Sequence, residues 1–471
     1  MLQNAMRALK IGAVTAFAGL ASTSSASAET LHDAMVGAYT HSGLLDQNRA
    51  LLRAADEDVA QAVAALRPII NWSASVTRSV TDTRTASSPV EISTGTTNAQ
   101  LSLTLSLLLW DNKRSRLGVA AAKETVLATR QGLISVEQQV LQRAVSAYFN
   151  VRRETENVAL QQNNLRLITE ELRAAEDRFD VGEVTRTDVA QAQARLAEVR
   201  SGVAFAMGQL VQAQEEYANV VGRKPGRLAV PGALPRIERS IPRAKDQAVR
   251  NHPDLKQAQH AVAAADINVD IARRNTSPTV SAVGSISKTE RFNSNQYTDN
   301  LQIGIQATGP IYQGGALASA QRSAIANRDA QRGNLHRIRH NIRQNVGNAY
   351  AQLQSAQAQL QATGERIRAA QVAFRGVREE ATLGSRTTLD VLNAEQALLD
   401  AQASQISAQA DRYIAAYSVL ASLGQLTVTD LGLGVTQYDP DAYYNLVRTA
   451  PVARSAQGKK LDRVLKSLQK D

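Results

Sequence analysis

Gly182 and Gly384 stand 202 residues apart, each six residues ahead of an Asp-Val pair, in "FDVGEVTRTDV" and "ATLGSRTTLDV". The same offset carries Ala144, Val151, Val158, Leu165 and Leu172 onto Val346, Leu353, Leu360, Ile367 and Phe374, an apolar residue at every seventh position in both halves. It also carries Tyr148 onto Tyr350, Asp188 onto Asp390, Leu196 onto Leu398 and Gly222 onto Gly424. Agreement over about 80 residues marks an internal duplication, so one structural unit must be built twice. A strict seven-residue apolar repeat keeps a narrow seam on one helix face and makes helices supercoil against neighbours. The proline-free pattern from about Lys113 to Arg178 would reach roughly 100 Å as helix, longer than a globular domain requires. Low aromatic content, 4% against 44% hydrophobic residues, fits long, thinly packed helices.

Ahead of each helical block the apolar period changes from seven to two. Ile70, Trp72, Ala74, Val76 and Val80 alternate with polar residues, as do the leucines of 101–109. In the second half Val280, Ala282 and Ile286, then Leu301, Ile303, Ile305 and Ala307, do the same. Alternation over about ten residues predicts a strand with one apolar and one small polar face. The polar stretches "TDTRTASSPVEISTGTTN" and "KTERFNSNQYTDN" are expected as loops, so each half contributes one hairpin, at about 68–110 and 278–312.

The N-terminus has Arg7 and Lys10 before an apolar run from Ile11 to Ala21 and small residues at Ala26-Ser27-Ala28, the layout of a cleaved export signal over 1–28. There is no Cys, hence no disulfide framework or thiolate metal site. No later apolar run approaches the roughly 20 residues of a membrane helix. Exported strands with one apolar face, and aromatic residues near their ends (Trp72, Trp110, Tyr312), favour an outer-membrane barrel. Four strands leave edges that lipid cannot satisfy, so the chain must oligomerise: two copies give eight strands and a filled interior, three give twelve and an open lumen.

The net charge of +10 lies mostly at the ends: Arg7 and Lys10 belong to the signal, and seven basic residues after Val447 face only Asp462 and Asp471. The remaining body is nearly balanced, which argues against a nucleic-acid partner. His336 and His340 share a helical face but lack a third ligand, and no phosphate loop, dinucleotide fingerprint or nucleophile elbow is present, so neither cofactor, metal nor catalytic residue is expected.

With "LLLWDNKRSR" and "GPIYQGGALASAQ" at the strand-to-helix joints, "NHPDL" opening the second half and "YSVLASLG" closing the last long helix, the order of elements resembles the TolC family of outer-membrane efflux proteins, its BepC-type members in particular. The resemblance runs from about Thr30 to Gly424. It implies an α+β membrane protein: a homotrimer with a twelve-stranded barrel continuous with a long periplasmic helical coiled-coil barrel. The units are then a first repeat over 29–222, a proline-rich linker over 223–242, a second repeat over 243–424, and an equatorial segment with a basic tail over 425–471. It implies a passive exit duct in the outer membrane, docked by a periplasmic adaptor of the membrane-fusion type and an inner-membrane transporter of RND or ABC type, exporting drugs, other toxic compounds or proteins. The tips near Gly182 and Gly384 match a constriction in which Arg386 and Thr187 form one link, Asp188 supplies the acid of a second, and Asp390 belongs to an acidic ring. Asn393 stands where a second ring acid is expected, and Ala381 where an aromatic partner is. Phe179, Gly182, Leu383 and Gly384 match adaptor contacts. Without a membrane-inserted sheet, the alternative is a periplasmic coiled-coil adaptor or scaffold with no pore.

Overall fold

Thr30 opens the first helix with a reciprocal cap, its hydroxyl bonded to Asp33 and the Asp33 N–H returned to it, which satisfies donors that a helix start leaves free. The computed structural model describes residues 28–85, 88–292 and 294–468, so the signal segment lies outside the described residues save Ala28. The chain runs α1 (Leu31–His41), α2 (Gly43–Ala64), β1 (Ile69–Thr85), β2 (Ser88–Trp110), α3 (Arg114–Asp180) and α4 (Arg186–Val221). The same order returns as α5 (Ile241–Asn251), α6 (Pro253–Arg274), β3 (Thr279–Arg291), β4 (Tyr297–Thr308), α7 (Ala316–Thr382) and α8 (Thr388–Ser422). Three short helices follow: α9 (Val428–Leu431), α10 (Pro440–Val447) and α11 (Ala456–Leu468).

Both α3 and α7 are 67 residues long, about 100 Å each. Their seven-residue seams bury Ala144, Val151 and Val158 in one and Val346 and Leu353 in the other; Leu165 and Leu172 of the first and Leu360, Ile367 and Phe374 of the second are only half-buried, so both seams thin toward the far end. The cores sit near the middle of α3 and α7. One packs Leu141, Val145, Tyr148, Phe149 and Tyr217 with Leu426 and Val428; the other packs Ala244, Ala248, Val346, Ala415, Ala416, Val419 and Leu423, alanines permitting close helix approach.

The repeated tyrosines have a shared task. Tyr148 donates its hydroxyl to the Ala229 carbonyl (2.8 Å) and Tyr350 to that of Glu238, so equivalent residues of the two halves fasten the helix-free 223–240 segment. Because burial pushes both phenols above their ordinary pKa, they remain donors across physiological pH.

The four strands form one antiparallel sheet in the order β1-β2-β3-β4, the halves joined through β2 and β3. The strands exceed the expected ten residues, at 17, 23, 13 and 12. Much of each segment read as loop is ladder instead, with Thr81 opposite Thr94 and Thr83 opposite Ile92, and β3 continuing to Arg291. Thr, Val and Ile favour the pleated conformation whether or not one face is apolar, and the polarity of these residues had masked that.

Candidate functional site

Directly paired residues of an antiparallel ladder project to the same side. The register therefore builds one apolar face from the rows Ile70–Leu105–Gly284–Ile303 and Trp72–Leu103–Ile286–Leu301. The opposite face is built from Asn71–Thr104–Ser285–Gln302 and Ser73–Ser102–Ser287–Asn300, with the Ser73 and Ser102 hydroxyls 2.7 Å apart. No core covers the apolar side: Trp72 is 74% and Ile303 82% exposed. The outer edges of β1 and β4 are unpaired within one chain. An uncovered apolar sheet with small hydroxyl and amide groups behind it suits lipid on one side and water on the other.

At the other end of the long helices are two turns of matching construction. Gly182 (φ 81°) and Gly384 (φ 75°) take the left-handed conformation that ends α3 and α7. The N–H of Glu183 bonds to the Arg178 carbonyl (2.9 Å), and that of Ser385 to the Glu380 carbonyl (3.0 Å). Thr185 and Thr387 then cap α4 and α8: their hydroxyls donate to Asp188 (2.6 Å) and Asp390 (2.9 Å), and their backbone N–H groups to the same carboxylates. These bonds hold both acids below the usual carboxylate range, the Thr185 hydroxyl contributing most at Asp188 and the Thr387 backbone N–H most at Asp390. Both acids are thus ionised at neutral pH, on half-buried positions.

The remaining tip residues are placed less tightly. Phe179, Leu383, Gly182 and Gly384 are exposed, Leu383 at 84%. Thr187 and Asn393 are exposed and make no side-chain hydrogen bond among the described residues. Within one chain Arg386 does not reach Thr187 or Asp188; its Nε donates to Glu380 at 2.8 Å, across its own turn. His336 and His340 are exposed, and no cluster with metal-ligand geometry occurs among the described residues.

Just beyond the tips the two helix pairs meet around Ile168, Leu196, Val199 and Leu392, with Arg378 of α7 paired to Glu171 of α3 (3.1 Å) and Arg195 of α4 bonded to Gln396 of α8. Glu395, 4% exposed, lies in this junction, and neither carboxylate oxygen has a partner. Burial, reinforced by Glu171 and opposed by Arg195 and Arg378, pushes its pKa up to about 7. Sequence reasoning passed over Glu395, although its three-and-four spacing from Leu392 and Leu399 puts an acid in an apolar slot.

A family model described as outer membrane efflux protein matches residues 38–223 and 245–425. The chain is 36% identical over 425 residues to the outer membrane efflux protein BepC of Brucella suis biovar 1, spanning 89% of this chain and 91% of that one. It is 27% identical over 320 residues to the alkaline protease secretion protein AprF of Pseudomonas aeruginosa, 65% of each. Among solved structures, the CmeC outer membrane channel of Campylobacter jejuni matches with a TM-score of 0.73 at 17% identity, over 90% of each chain.

Proposed function

This chain belongs to the outer membrane efflux protein family, and from that premise we propose how it forms and closes its duct. It is an outer-membrane exit duct of efflux or secretion, with a large periplasmic portion. The uncovered apolar face of the four-stranded sheet, open at both edges, carries the finer reading. In lipid those edges must pair with other copies, and three chains give a twelve-stranded barrel whose lumen is lined by the Ser, Thr, Asn and Gln rows. The helices α3, α4, α7 and α8 of the three copies continue that lumen into the periplasm.

The closed end is formed by six tips. Asp390 contributes an acidic ring, Arg386 steadies its turn through Glu380, and Thr187, Asp188 and Asn393 line the approaches. Phe179, Gly182, Leu383 and Gly384 meet a periplasmic adaptor, and an inner-membrane transporter supplies the energy. The names of BepC and AprF, efflux and protease secretion respectively, support toxic compounds and proteins alike as cargo.

The test is purification followed by reconstitution in planar bilayers. The mature protein is expected to need detergent, to have three times the mass of one chain, and to insert with one conductance level per trimer. A water-soluble monomer would leave only the pore-free scaffold. In the same bilayers Asp390→Ala is expected to weaken block by multivalent cations applied from the tip side severalfold, since three carboxylates leave the constriction; undiminished block would place Asp390 away from the pore.

A further inference from the structure

The C-terminal helix is bound to the foot of the sheet. Arg67, two residues before β1, donates to the carbonyls of Thr449 (through a short bond) and Ala450 (2.6 Å). The first turn of α11 is strapped back to that level, Gln457 donating to the Leu446 carbonyl (2.6 Å) and accepting from Thr449 (3.3 Å). Gly458 passes so close to the Val452–Ala453 backbone that no side chain fits there. Beyond it Leu461 and Leu465 seat against Ala60, Tyr443 and Val447. The apolar stripe of α11 is thereby used up on the body.

What remains outward is charge. Lys459, Lys460, Arg463 and Lys466 are exposed, as are Arg448 and Arg454 nearby, and among the described residues of α11 the one acid is Asp462. None of these six bases forms an ion pair among the described residues. Ala60 precedes Arg67 by seven residues, so the part of α11 seated on Ala60 lies roughly 10 Å from the level of Arg67 by helical rise. That distance compares with a headgroup layer of about 5–8 Å and a screening length of about 8 Å at physiological salt.

We propose that the exposed basic face of α11 is a docking surface for anionic phospholipid headgroups of the leaflet at the foot of the sheet. The inference rests on the barrel reading, which sets the membrane level, and adds to it a second, electrostatic attachment. Each base near such a surface contributes additively, and the attraction is screened by salt. The helix makes a fixed basic patch of the basic tail.

The test is hydrogen exchange of the full mature chain in lipid nanodiscs, one set of phosphatidylcholine alone and one with a third phosphatidylglycerol. Protection of β1–β4 in both sets reports insertion independently. Amides of 456–468 are expected to exchange roughly tenfold more slowly with the anionic lipid, an effect removed by 1 M salt and by the combined variant K459Q/K460Q/R463Q/K466Q. Inserted protein whose α11 exchanges alike in both sets overturns the inference while leaving the duct intact. Lipid-dependent protection that survives the fourfold variant overturns it too. Protection conferred only by an added acidic polypeptide would assign the face to a protein partner instead.

Discussion

Gly424→Ala is expected to cost about 3 kcal/mol of stability, combining left-handed strain with overpacking, and to lower the thermal midpoint well below that of Gly182→Ala. Both glycines have φ near +80°, +76° at Gly424 and +81° at Gly182. Their surroundings differ. A Cβ at Gly182 meets nothing within 4 Å, whereas at Gly424 it would lie 3.1 Å from the His252 Cα and 3.1 Å from the Pro253 Cδ, backbone and ring atoms that cannot rotate aside. Gly424 also stands between Leu423, buried in the second-half core, and Leu426, buried in the first-half core. Displacing that turn disturbs both. Gly182→Ala should cost only about 1 kcal/mol of conformational strain. Equal losses in the two variants would mean that the packing around Gly424 relaxes freely.

Glu395→Gln is expected to make stability less dependent on pH. The folded pKa of Glu395, about 7, exceeds its reference value of 4.5, so the fold favours the protonated acid. Stability is then highest below about pH 4.5, falls as pH rises through 7, and levels off; the loss is about 3 kcal/mol by linkage. Burial and three charged groups decide the outcome: desolvation and Glu171 oppose ionisation, Arg195 and Arg378 favour it. Glutamine cannot ionise, so the variant should match the parent near pH 4 and exceed it at pH 8, read as unfolding midpoints in detergent across that range. Parallel curves would show that Glu395 is solvated in the assembled protein. Because this acid is buried where α3–α4 meets α7–α8 just behind the tips, the same titration should loosen the contact between the two helix pairs at alkaline pH.

The duplication, the long helices and the strand faces were legible because each is a periodic signal, and periodicity is local. The 202-residue offset even carried the paired tyrosines and turn glycines to their correct equivalents. Strand ends were harder: in 81–98 the polar face and the turn use the same Thr and Ser residues, so composition alone could not separate them. The tip turns were readable from Gly182, Gly384 and the Thr-x-x-Asp caps. Arg386 was not, because its engagement by Glu380 depends on how the turn folds back. Glu395 and α11 share one cause of obscurity: their meaning lies in what packs against them, and part of each surround, Ile168 and Leu196 near Glu395 and Ala60 against α11, is distant in sequence.

The equal 67-residue spans of α3 and α7, returned by α4 and α8 of 36 and 35 residues, restrict how such a protein can change size. An insertion of three or four residues in one helix would rotate its seam off its neighbour. Only seven-residue increments keep the seam, each lengthening the structure by about 10 Å, and all four helices must take them together. A lineage with a wider or narrower cell envelope can therefore adjust this reach only in coarse, concerted increments. Any finer fit across that gap falls to the molecules that meet it from the other side.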